Sequence, residues 1–103
     1  MNHIFEQIAA ERKRQDEKWG EQNYVLTNVA VNKHKHTADV WRHINEKEES
    51  YWKDWYTVLQ EKVERVFAET DPVKSREEMI QVAAVAVQII EYLDRQIDGG
   101  KGC

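Results

Sequence analysis

Cysteine, proline and glycine are scarce in this chain, and each scarcity excludes something. Cys103 is the lone cysteine, so no intrachain disulfide can form and an intracellular, cytoplasmic setting is expected. At a chain end, it is no candidate nucleophile. One proline and four glycines in a chain that is 33% charged suit an all-helical protein better than a β-rich one. No apolar run is long enough to span a bilayer, and the first residues lack a basic-then-apolar leader pattern. Positive charge is not in excess either. With 15 basic and 19 acidic residues the formal charge is −4, so bulk electrostatics predicts no nucleic-acid binding.

What is present is a dense apolar run in the last third of a chain that is 41% hydrophobic. At 103 residues the chain is one small domain, and small domains bury a modest share of their surface. The run over 79–93 exceeds what one short chain needs. The expected architecture is all-α, a bundle of three to four helices whose core is completed by oligomerisation, as a homodimer or homotetramer. The domain is expected over 1–98, with 99–103 a flexible tail.

Taken in order, Ile4, Phe5, Ile8 and Ala9 make an apolar stripe at helical spacing, and a helix over 2–18 follows. Gly20 is its expected stop. From Glu21 to Lys35 the pattern is weak and reads as an ordered loop or helical turn. Thr37 is the expected N-cap of the next helix. Val40, Trp41, Ile44, Tyr51, Trp52, Trp55, Leu59, Val63, Val66 and Phe67 then recur at three- and four-residue steps. Either one helix runs over 38–69, roughly 48 Å long, or it breaks near Ser50. Asp71-Pro72 ends it. Ser75 and Glu78 spell a capping box for the last helix, which is expected to reach about Ile97 and stop at Gly99-Gly100.

Chemistry is expected where these last two helices meet. Glu61 and Glu64 lie one turn apart, and Glu77, Glu78 and Gln81 open the following helix. Carboxylates at i and i+3 share a helix face. Two such helices side by side would gather oxygen ligands for a hard divalent cation. Two carboxylates about 4 Å apart repel by roughly 4 kcal/mol at an effective dielectric of about 20, so a real cluster needs a cation. Each residue also has a plainer reading: exposed acids are usually solvated, Glu78 serves as a capping acid, and Gln81 suits a helix–helix hydrogen bond. His34, His36 and His43 lack the spacing and soft partners of a transition-metal site. Trp19, which ends a helix beside a loop, is the stacking candidate for a nucleobase. Trp41, Trp52 and Trp55 read as core. Arg12, Arg14 and Lys18 could contact phosphates or form a solvated face.

The segments IAAERKRQDEKWGEQ, VWRH, VLQEKVERVFAETDP and REEMIQVAAVAVQIIEYLD resemble the MazG-like branch of the all-α nucleoside triphosphate pyrophosphohydrolases. The resemblance is clearest over 8–22 and 56–95, with VWRH the one matched piece of the 23–50 stretch. It implies a helical dimer or tetramer that holds magnesium through Glu-Glu-x-x-Glu on one helix and Glu-x-x-Asp on a later one. The metal would activate water to cleave a nucleoside triphosphate into monophosphate and pyrophosphate. Carried over, the second motif falls on Glu78 and Gln81. The first falls on Glu61, Lys62 and Arg65 in the register that fits the flanking residues. A one-residue slip gives Glu61 and Glu64 instead, turned about 100° around the helix.

Two functions follow. In the first, the protein is a MazG-like nucleotide pyrophosphohydrolase. Glu61 and Glu64 are then catalytic, Glu61, Glu64, Glu78 and Gln81 hold magnesium, and Trp19, Lys62 and Arg65 bind substrate. In the second, Lys62 and Arg65 neutralise the acids in place of a cation. Arg65 would then be free to bind phosphate oxygens. The fold would be an inactive scaffold that binds a protein, such as a phage-encoded regulator acting in the host cytoplasm. Its contact surface would be WRHINEKEESYWKDWY, because Trp, Tyr and Arg supply interface anchors. Fold resemblance alone does not choose between them.

Overall fold

The computed structural model describes residues 2–47 and 53–102, and every regular element among them is helical. The helices are α1 (Asn2–Trp19), α2 (Val31–Glu46), α3 (Trp55–Ala68) and α4 (Pro72–Gly102). Among the described residues no helix is long and apolar enough to cross a membrane.

α1 ends as its sequence indicates. Gly20 adopts φ +66°, a left-handed conformation that suits glycine, and its N–H closes on the Asp16 carbonyl at 2.8 Å. Much of the outer surface of α1 is charged. Arg14 donates to both Glu11 oxygens, at 2.9 and 2.6 Å, and that hydrogen bonding holds the Glu11 carboxyl below its ordinary pKa.

α2 begins six residues before the expected cap. Thr37 is inside the helix, its hydroxyl donating back to the Lys33 carbonyl at 3.0 Å, a bond open to any mid-helix threonine. The helix starts early because Val31, His34, Ala38, Trp41 and Asn45 form one inward face at steps of three and four, partly or fully buried. That face packs on α3, and packing outweighs the weak local signal.

The long middle stripe is broken. α2 ends at Glu46 and α3 starts at Trp55; Ser50, Tyr51 and Trp52 lie outside the described residues, as does Cys103. Asp54 caps α3, its Oδ1 accepting from Thr57 N–H at 2.9 Å while Asp54 N–H donates to Thr57 Oγ1 at 3.0 Å. This reciprocal pair is a capping box built with threonine in place of glutamate.

The expected capping box at Ser75 does not form. α4 starts three residues earlier, with Asp71 Oδ1 accepting from Val73 N–H at 3.0 Å and Pro72 in the first helical position. Proline fits there because its missing N–H would have no helical partner anyway. Ser75 is buried, and its hydroxyl donates to the Val66 carbonyl at 3.2 Å, serving one of the unpaired carbonyls that end α3. At the other end α4 runs on through Gly99 to Gly102. Glycine lowers helix stability by about 1 kcal/mol relative to alanine without breaking a helix already propagating.

α3 packs between α2 on one side and α4 on the other. Val66, 1% exposed, is the centre of the core, with Ala38, Val85 and Val87 also buried. Trp41 meets Tyr56 edge-on at 5.7 Å, and Trp55 lies 6.4 Å from Tyr92. The molecule is thin, 47 × 45 × 18 Å, with a radius of gyration of 16.4 Å. A close-packed chain of this length would have about 13 Å. The difference lies partly in α1, which buries Ile4 but leaves Phe5 and Ile8 about half exposed. Between α1 and α4 runs an apolar groove of about 600 Å³, walled by Phe5, Ile8, Ile80, Ala83, Ala84 and Val87.

Candidate functional site

The middle of α3 points chemistry in two directions. Glu61 and Glu64 both turn toward α2, as their i,i+3 spacing allows. The Glu61 side chain is buried; Oε1 accepts from Asn45 Nδ2 at 2.9 Å, and Oε2 pairs with Arg65 one turn on. Asn45 is anchored in turn by Thr57, whose hydroxyl donates to Asn45 Oδ1 at 2.8 Å and whose carbonyl accepts from Nδ2 at 3.0 Å. Glu64 Oε2 lies 2.6 Å from His34 Nδ1. Each carboxylate is therefore committed to a different α2 residue.

Lys62 reaches α4, while Arg65 lies in a cleft lined from both α2 and α4. Lys62 Nζ donates to Gln81 Oε1 at 3.1 Å, tying the two helices at the surface. Arg65 shares a cleft of about 280 Å³ with Glu78, Glu69, Lys35, Asp39 and Arg42. Position 62 thus contacts Gln81 and position 65 shares a cleft with Glu78, and both carry cations. The slipped pair, Glu61 and Glu64, meets Asn45 and His34 of α2 instead.

Glu78 is partly buried, and its Oε2 is fully buried with no hydrogen-bond partner. An unpaired buried carboxylate oxygen is costly, so the cleft is chemically incomplete at this atom. Trp19 is half exposed at the end of α1, with Lys18 Nζ 4.8 Å from its ring. Among the described residues this is its one charged or ring contact, so it is not brought to Arg65 or Glu78. His36 and His43 are exposed on α2.

Magnesium binds oxygen ligands in near-octahedral geometry, through carboxylates it can share with phosphates. Here the oxygens of Glu61 face an amide and a guanidinium, that of Glu64 faces an imidazole, and that of Gln81 faces an ammonium. No group of three or more His, Cys, Asp or Glu side chains is gathered to hold a metal ion among the described residues. As arranged, this donor set does not suit magnesium.

Two participants, His34 and Asn45, have no local sequence signal for these roles. They meet residues 30 and 16 positions away, respectively. Only the inward periodicity of α2 could have singled them out. Compared with known proteins, the chain matches no family model, no curated protein and no solved structure.

Proposed function

We propose that the protein is a scaffold of the MazG-like kind that does not hydrolyse nucleotides and acts by binding another protein. One observation carries this reading: both candidate catalytic carboxylates are already paired inside the protein, Glu61 with Asn45 and Arg65, and Glu64 with His34. Moving either onto a metal would strip a buried or half-buried group of its partner. Losing a partner costs about 1–3 kcal/mol, and more where charge is involved. Cations at 62 and 65 further repel a divalent ion from the α3–α4 face. The described part of the aromatic middle segment leaves Tyr56 59% exposed beside Trp41, a fit anchor for a partner surface. Self-association belongs to the same reading, with the α1–α4 groove as the face a second copy covers.

The hydrolase reading keeps one specific support, the unpartnered Oε2 of Glu78, a residue that lines one cleft with Arg65. In that reading Glu78 would hold magnesium and Arg65 the substrate phosphates. Pyrophosphate release from a panel of nucleoside triphosphates, with and without magnesium, separates the two. The scaffold reading expects no release above buffer from folded protein. Magnesium-dependent release that disappears in Glu78→Ala would overturn it in favour of the enzyme.

A further inference from the structure

On the far side of α3 from Gln81, three side chains form a hydrogen-bonded line from the 20–30 loop across α2. Thr27 Oγ1 lies 3.0 Å from His34 Nε2, and His34 Nδ1 lies 2.6 Å from Glu64 Oε2. The hydroxyl and the carboxylate thus use opposite ring nitrogens. With Nδ1 donating to the carboxylate, the neutral ring presents Nε2 as an acceptor to the hydroxyl. Val29 N–H donates to Thr27 Oγ1 at 3.0 Å and Phe67 packs 5.5 Å from the imidazole, so the hydroxyl and the ring are both held in place. The His34 and Glu64 side chains are 14% and 19% exposed, shielded from bulk water without being sealed.

Thr27 also lines a pocket of about 530 Å³. Leu26, Val31, Phe67 and Met79 make its apolar walls, and one cation, Arg76, and one carboxylate, Glu69, also line it. A hydrogen-bonded tie between loop and helix needs no adjoining pocket. Here the Thr27 hydroxyl lines the pocket, and the imidazole and carboxylate stand behind it in the order of an activated nucleophile.

We propose that Thr27, His34 and Glu64 form an acyl-transfer site for short apolar carboxylic esters. His34 Nε2 takes the Thr27 proton as Oγ1 bonds to the ester carbonyl carbon. The bond from that carbon to the alkoxy oxygen then breaks, and the alcohol leaves with the proton held by His34. Water next attacks the acyl-threonine, passing its proton through His34 back to Thr27 Oγ1 and freeing the carboxylic acid. No oxidant or metal is required. Arg76 supplies positive charge for the carbonyl oxygen in both tetrahedral states, and Glu64 is a positioning residue that holds the ring.

The test is hydrolysis of p-nitrophenyl butyrate by the full chain, with intact-mass detection of a butyryl adduct and circular dichroism to check each variant's fold. The wild type is expected to exceed buffer and to carry the adduct. Thr27→Val, nearly isosteric, should lose at least about 100-fold and the adduct, in line with what nucleophile and base contribute. Thr27→Ser should retain both. Glu64→Gln should lower kcat with KM little changed. Wild-type turnover at the buffer rate, or a folded Thr27→Val with undiminished turnover, would overturn the proposal.

Discussion

Asn45 shows how much one side chain decides at the residue scale. Its amide satisfies the Thr57 hydroxyl, the Thr57 carbonyl and one oxygen of buried Glu61. Alanine at this position would leave Glu61 Oε1 without its amide partner and the Thr57 hydroxyl with only the Asp54 carbonyl to donate to, while opening only a small gap. Asn45→Ala is therefore expected to destabilise the fold by about 1–3 kcal/mol, read from urea unfolding. A loss below about 0.5 kcal/mol would mean that water replaces the amide and the network is not under tension. The same network explains why Glu61 does not behave as the acid pattern suggests. An i,i+3 pair of glutamates is visible in sequence, but the direction of their shared face is not. That direction depends on which neighbour α3 presents to that side, and here it presents α2.

At the scale of elements, the ends of the helices carry the differences. Gly20 stops α1 through a conformation only glycine adopts cheaply, so its role was readable. Thr37 and Ser75 were both sound cap candidates by residue type, and both are interior. In each case the helix begins earlier, and the hydroxyl turns to a carbonyl, of Lys33 in its own helix and of Val66 in α3. Asp54 and Asp71 do the capping instead. Asp54→Ala should cost about 1 kcal/mol, the usual value of an N-cap. Thermal unfolding checks this, and a change within about 0.3 kcal/mol would show that α3 is held by packing alone.

The described residues form a thin array of helices that leaves an apolar face between α1 and α4 uncovered. Ile80 is 57% exposed and Phe5 50%, both on the groove between α1 and α4. α1 makes little other packing, so a second copy laid in this groove would fix it in place while covering that face. Light scattering at micromolar concentration is expected to report at least a dimer, and Ile80→Glu to shift it to the monomer, since a charge there would be buried unpaired. A monomeric mass for the wild type would remove self-association and leave the groove to a different protein.

The sequence by itself determined the helical class, the position of α1, the Asp71-Pro72 boundary and the apolar richness of α4. Each of these rests on neighbours within one or two turns: periodicity, a glycine stop, a proline's steric demand on the residue before it. Only the tertiary structure decided where Glu61, Glu64, Lys62 and Arg65 point and that His34 meets Glu64. It likewise decided that α2 starts at Val31 and that Glu78 is left with an unpaired oxygen. Those facts depend on which helix lies against which face. A helix rotated by one residue carries the same sequence pattern and an entirely different set of partners.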